Sequence, residues 1–124
     1  MIPVYNEATN LPALWNRLEP VIAHLTNLGH QCEVILVDDG STDTSLALMR
    51  EIADRDRRVR VVELARNFGQ HPALLAGFRN CRGAIVVTLD ADLQTPPEEI
   101  PRLVAAIEAG NDVVGGWREE RHDR

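Results

Sequence analysis

Two apolar runs constrain this chain more than any other feature. Val34-Ile35-Leu36-Val37 and Ala84-Ile85-Val86-Val87-Thr88-Leu89 are nearly continuous, rich in β-branched residues, and each ends on aspartate. A strand with one face in water alternates apolar and polar residues, so runs without alternation demand cover on both faces. That cover is legible between them. Leu11, Leu14, Leu18, Val21, Ile22, Leu25 and Leu28 recur at spacings of three and four, the apolar stripe of a helix that Gly29 stops. Pro20 falls inside the stripe and removes a backbone donor, which predicts a kink or break there.

The remaining elements follow the same logic. Gly40-Ser41-Thr42-Asp43 supplies turn and capping residues for a helix of about three turns through Leu46, Met49, Ile52 and Ala53. Residues 59–64 read as a strand, and residues 72–80 as a short helix carrying Leu74, Leu75 and Phe78. Thr95-Pro96-Pro97-Glu98 has the form of a capping box before a helix with Leu103, Val104 and Ile107 inward. Gly110 ends that helix, and residues 112–116 suggest one more strand. Strands alternating with helices over short connections predict one α/β domain over residues 1–124, with a mostly parallel sheet between helical layers. Ligands of such sheets bind beyond the carboxyl ends of the strands.

Composition excludes several chemistries. All 13 basic residues are arginine, so no lysine exists for a phosphate-binding P-loop, a Schiff base or pyridoxal phosphate. A net charge of -6 argues against nucleic acid as a partner. Cys32 and Cys81, with no Cys/His cluster around them, read as small buried hydrophobes. No apolar run reaches the roughly 20 residues needed to cross a bilayer. Residues 1–4 read as the second half of a strand and residues 118–124 as a charged tract, so the chain is expected to be part of a longer protein.

Polar residues gather at the predicted strand ends: Tyr5, Asn6 and Glu7, then Asp38 and Asp39, then Asp90, Asp92 and Gln94, then Arg118. In a parallel sheet these lie on one edge, where clustered carboxylates call for a cation or an arginine. Asp90 and Asp92 on an extended chain would project to one side, about 7 Å apart at their α-carbons, an arrangement suited to Mg²⁺ or Mn²⁺. The same pattern also occurs as ordinary turn and capping chemistry. Of Asp38 and Asp39, one is expected to cap a turn and the other to accept from a nucleobase or ribose hydroxyl. There is no Gly-x-Gly-x-x-Gly loop, which leaves phosphates to metal and arginine. His71, Trp15 and Trp117 read as surface or packing residues, and Glu98-Glu99 and Glu119-Glu120 as solvated or dipole-stabilising charges.

Three segments in order, Pro3-Val4-Tyr5-Asn6-Glu7, Val37-Asp38-Asp39-Gly40-Ser41-Thr42-Asp43 and Asp90-Ala91-Asp92-Leu93-Gln94, resemble the family 2 glycosyltransferases with a GT-A nucleotide-binding domain. Arg66-Asn67-Phe68-Gly69-Gln70-His71 and Ala76-Gly77-Phe78 resemble, within that family, the polyprenyl-phosphate glycosyltransferases of the undecaprenyl and dolichyl type. The resemblance implies a Rossmann-like, three-layer GT-A fold, apparently truncated, that holds the donor half of the enzyme. It implies a base and ribose pocket at Pro3, Tyr5, Glu7, Val37 and Asp39. It places the diphosphate at Asp90, Ala91, Asp92 and Arg118, and Mg²⁺ or Mn²⁺ at Asp90, Asp92 and Gln94, with Asp92 central to catalysis. The implied reaction passes a sugar from a UDP or GDP sugar to a polyprenyl phosphate with inversion, at the cytoplasmic face of a membrane in the whole protein, with this part in solution; a homo-oligomer stays open. An acceptor phosphate is already anionic at neutral pH, which reduces the demand for a general base.

Two other functions compete. A haloacid dehalogenase-like phosphatase also places Asp-x-Asp after an apolar strand, but the residue two beyond its second Asp is usually Thr or Val where this chain has Gln94, and its lysine is missing. The other is a non-catalytic nucleotide-sugar-binding remnant. Neither the sugar, the base, the metal nor the acceptor lipid is legible here.

Overall fold

A computed structural model describes residues 1–110. The strand suggested at residues 112–116, and Trp117, Arg118, Glu119 and Glu120, lie outside the described residues. Three strands, β1 (Ile2–Val4), β2 (Val34–Asp38) and β3 (Val59–Glu63), form a parallel sheet in the order β1-β2-β3. Ile2 pairs with Leu36 and Val4 with Asp38, while Val34 pairs with Val59 and Asp38 with Glu63. All five residues of β2 are buried, as its unbroken apolar run requires.

Helices cover both faces. Helix α1 (Leu11–Asn27) and α2 (Ser45–Arg55) pack on one, where Leu11, Leu14, Leu18 and Met49 meet Ile2, Val4, Val34 and Leu36. Helix α3 (Gln70–Asn80) takes the other, with Ala73 buried against Ile35 and Val37. Helix α4 (Ile100–Glu108) reaches α1 through Val104, Val21 and Leu25. The α1 stripe is buried from Leu11 to Leu25, but Leu28 lies outside the helix and is exposed. Cys32 and Cys81 are half-buried rather than buried, and the Cys81 thiol donates to Gly77 O. Trp15 packs against the core as expected.

Four local expectations change. Pro20 does not break α1, because its ring is on the exposed face and the Asn16 carbonyl it strands faces water. Thr95 forms no capping box: a 3₁₀ turn (Pro97–Glu99) precedes α4, Glu99 N–H donates to Pro96 O, and the Glu98 carboxylate is drawn instead to Arg17 at 2.6 Å. Glu99 pairs with Arg102, so neither glutamate is simply solvated. On α3 the inward residues are Ala73 and Gly77, while Leu75 and Phe78 face outward.

The fourth change concerns residues 84–89, the most strand-prone run, which form no strand. The segment runs beside β1 and holds two backbone bonds to it, Met1 ammonium to Val87 O at 2.8 Å and Leu89 N–H to Met1 O at 3.2 Å. Alternation of direction along an extended backbone puts the next donor on that edge at position 3, and Pro3 has no N–H to give. The ladder stays at two bonds among the described residues.

Candidate functional site

The carboxyl ends of β1 and β2 are tied together by one side chain. Asn6, in the left-handed region at φ 52°, accepts from Thr42 N–H at 2.8 Å and Asp43 N–H at 3.3 Å through Oδ1, and its own N–H donates to Ser41 Oγ. Asparagine tolerates this backbone better than most residues and carries the acceptor the facing loop needs. Glu7 N–H donates to Ser45 Oγ, and the Glu7 carbonyl accepts from Asn10 and Leu11 at the start of α1. Asp43 then accepts from Ser45 N–H and, at 3.3 Å, from Ala8 N–H. The Ser45 hydroxyl, then backbone donors, hold its carboxyl below the ordinary range.

The two aspartates ending β2 differ in their partners. Asp38, 2% exposed, accepts from Ser41 N–H and closes the turn. Asp39, 4% exposed, accepts from Phe68 N–H at 2.8 Å, Gly69 N–H at 3.1 Å and Asn67 Nδ2 at 3.2 Å, so its carboxylate folds the loop after β3 over the strand ends. Gly40 makes that approach possible: it sits at φ 75°, and a Cβ there would collide with the backbone of Arg66 and Asn67.

Beyond these strand ends opens a cavity of about 370 Å³ lined by Pro3, Val4, Tyr5, Glu7, Asp39, Asn67, Gly69, Gln70, Ala73, Asp90, Ala91 and Asp92. Seven expected site residues meet here: Pro3, Tyr5, Glu7, Asp39, Asp90, Ala91 and Asp92. Val37 does not line it; fully buried, it packs under the cavity with Ala73. Gln94 also lies off the wall, and its N–H donates to Asp92 Oδ1. Residues 91–93 form a turn rather than extended chain, with Leu93 at φ 65°, so Asp90 and Asp92 share the cavity by a bend and not by strand alternation.

Asn67, Gly69 and Gln70 were not assigned a role from sequence. Their signal was the Arg66-Asn67-Phe68-Gly69-Gln70 run, whose contribution depends on Asp39 drawing it inward. Among the described residues no arginine lines the cavity; Arg66 stacks on the Phe68 ring at 4.7 Å. Four carboxylates, from Glu7, Asp39, Asp90 and Asp92, therefore share a wall without a facing cation, which favours an incoming one. No group of three or more His, Cys, Asp or Glu is arranged around a metal position among the described residues. Asp90 and Asp92 alone suit an ion such as Mg²⁺ that is held by one or two carboxylates and completed by substrate phosphates and water.

A parallel sheet between helical layers, with an acidic cavity at its carboxyl ends and an Asp-x-Asp turn in the wall, defines a GT-A type α/β domain. The family model for glycosyl transferase family 2 matches residues 1–123, and the chain belongs to that family. Similar curated proteins include an undecaprenyl-phosphate 4-deoxy-4-formamido-L-arabinose transferase of Pseudomonas savastanoi pv. phaseolicola, 53% identical over 99% of this chain and 36% of that protein. The protein of that name from Pseudomonas fluorescens is 55% identical over the same shares. The chain thus spans about a third of the length of these relatives. Among solved structures, residues 1–349 of Staphylococcus aureus TarS in complex with UDP match with a TM-score of 0.66 at 23% identity, over 88% of this chain and 31% of TarS, a likeness of fold.

Proposed function

We propose that this chain is the donor-binding part of a glycosyltransferase that passes a sugar from a nucleoside diphosphate to a polyprenyl phosphate, with inversion at the anomeric carbon. The observation that carries the reading is the meeting of Tyr5, Glu7, Asp39, Asp90 and Asp92 around one cavity at the strand ends. The names of the undecaprenyl-phosphate transferases above support the lipid phosphate acceptor. The UDP held by the TarS structure supports a nucleotide donor.

Within this reading Tyr5, half exposed over the opening, and Glu7 meet the base and ribose. Asp39 shapes their wall through residues 67–69. Asp90 and Asp92 would hold a divalent cation, whose chemistry is to offset the charge that grows on the departing diphosphate. Asp92 is half engaged already, since its Oδ1 accepts from Gln94 N–H, and this bond orients the carboxylate before any ligand arrives. Arg118, outside the described residues, is the proposed partner of the donor phosphates, and the cytoplasmic membrane face the proposed place of action.

Thermal unfolding with UDP, GDP or dTDP, each with Mn²⁺, Mg²⁺ or chelator, tests the donor site. A nucleotide at 100 times its Kd adds about 2.7 kcal/mol, a rise of about 10 °C at this size. One nucleotide should act, and only with metal. Asp92→Asn should abolish that shift without lowering the melting point of the free chain. Stabilisation that persists in Asp92→Asn would remove the metal assignment, and a clean transition that no nucleotide moves would remove the donor-site reading.

A further inference from the structure

Helix α3 reverses the usual placement of large apolar side chains. Its buried residues are the small ones, Ala73 and Gly77, whereas Leu75 and Phe78 are 51% and 46% exposed. At about 100° per residue, His71, Leu75 and Phe78 fall within an arc of about 60°, and Arg79 borders it. All four are exposed. At the amino end of the helix the entering loop adds Phe68, 45% exposed, with the Arg66 guanidinium over its ring. Isolated apolar residues on a surface need no explanation, but large ones grouped on one helix face mark a contact.

Charge is distributed as unevenly. The chain carries 19 acidic residues and a net charge of -6, yet residues 64–89 contain neither Asp nor Glu. Within that stretch Arg66, Arg79 and Arg82 have no carboxylate at ion-pairing distance among the described residues, whereas Arg17, Arg50, Arg58, Arg60 and Arg102 each hold one. Glu33 accepts the Arg82 N–H through one oxygen, but its other oxygen is taken by Arg60. Exposed Leu and Phe bordered by uncompensated arginines have the composition of a helix lying in the headgroup layer of an anionic bilayer. A second copy docked on the same face would instead set arginine against arginine.

We infer that the outward face of α3, with Phe68 and Arg66 at its amino end, is a docking surface for an anionic lipid bilayer. Leu75 and Phe78 enter the boundary between headgroups and acyl chains. Arg66, Arg79 and Arg82 stay level with the lipid phosphates, where each raises the partition about fivefold. The net charge of -6 opposes adsorption of the molecule as a whole, so the contact is confined to this face and orients the domain. Every residue of the surface lies between positions 66 and 82, on one helix, its entry loop and the residues just after it. Gly69 and Gln70, at the amino end of α3, also line the donor cavity, so a bilayer seated here runs along one side of that cavity. The surface stands on its own residues, and its placement suits the lipid phosphate acceptor proposed above.

Co-sedimentation of the chain with lipid vesicles tests the surface. At low salt the chain should partition into vesicles containing phosphatidylglycerol about tenfold more strongly, or better, than into vesicles of phosphatidylcholine alone. Leu75→Ser combined with Phe78→Ser should lower that partition by about tenfold or more, and Arg79→Gln alone by about fivefold. These side chains are exposed, so the melting temperature should stay that of the parent chain. Arg55→Gln with Arg57→Gln, exposed arginines outside the face, should leave the partition within about twofold. In a Phe78→Trp variant, brominated phosphatidylglycerol should quench emission beyond its effect on the parent chain. No partition into the anionic vesicles, or partition that survives Leu75→Ser with Phe78→Ser, would overturn the inference. So would a concentration-dependent dimer in sedimentation velocity that those two substitutions dissolve, which would give the face to a second copy. Nucleotide-dependent thermal shifts on the same variants report the donor site separately.

Discussion

Replacing Asp39 by asparagine tests the step on which the candidate site depends, the inward folding of residues 67–69. The carboxylate is 4% exposed and accepts three donors, one on Oδ1 and two on Oδ2. Asparagine keeps the shape but converts one oxygen to a donor. Placed with its oxygen toward Phe68 N–H, it sets an NH₂ against Gly69 N–H and the Asn67 amide; the reverse placement sets it against Phe68 N–H. Hydrogen bonds to a charged acceptor contribute about 1.5–3 kcal/mol, and a buried donor left unmet costs about 1–3 kcal/mol. Because the loop can swing out and hydrate its donors, the sum is truncated to about 2–4 kcal/mol. Urea unfolding at neutral pH should show that loss as a lower midpoint at unchanged slope, with amide exchange at Phe68 and Gly69 accelerated well beyond that of β2. A loss under 0.5 kcal/mol, or exchange at Phe68 and Gly69 no faster than in the parent chain, would refute the claim that Asp39 holds the loop.

Pro20→Ala restores a donor for the Asn16 carbonyl inside α1 and should stabilise the chain by about 1–2 kcal/mol, less than the full ~3 kcal/mol helix cost because proline also restricts the unfolded chain; chemical denaturation measures it, and a destabilised variant would show that the ring packs usefully. Stability should fall as pH drops below about 4.5. Glu33, held by the Arg82 N–H and then Arg60, and Asp56, held by Arg58, titrate below their ordinary 4.5 and 3.8. Their contribution is complete above those values and is lost as pH falls through the lower folded ones. Urea midpoints from pH 6 to 3 should decline, and Glu33→Gln should flatten part of the decline; a midpoint constant down to pH 3 contradicts it.

The layered architecture was legible because β2 and α1 carry patterns that only a covered strand and a sheet-facing helix satisfy. So were Tyr5, Glu7, Asp39, Asp90 and Asp92 of the cavity wall, since a parallel sheet brings all strand ends to one edge, while Pro3 and Ala91 were expected there only from the family resemblance. What stayed illegible depends on partners distant in sequence. Residues 84–89 have every local property of a strand, yet their neighbour offers Pro3 in the one place where a donor is needed. Glu98 looks like a capping residue until Arg17, on another helix, takes it. Val37 directly precedes the strand-end aspartates, but it is still inside β2, where its side chain is buried with Ile35 and Ala73 rather than at the cavity wall.

The same contrast between local and distant partners explains how the candidate cavity is built. At the carboxyl edge every loop is stapled by side chains: Asn6 holds residues 42 and 43, Asp38 holds Ser41, and Asp39 holds residues 67–69. Those bonds involve short polar side chains acting on nearby backbone, so the acidic wall forms without a ligand to organise it. The carboxyl edge is thus preorganised by local polar chemistry. A loss of order spreading from the amino edge should therefore reach Asp90 and Asp92 before Asp39, because residues 84–89 lead directly into the Asp-x-Asp turn whereas Asp39 ends the central strand.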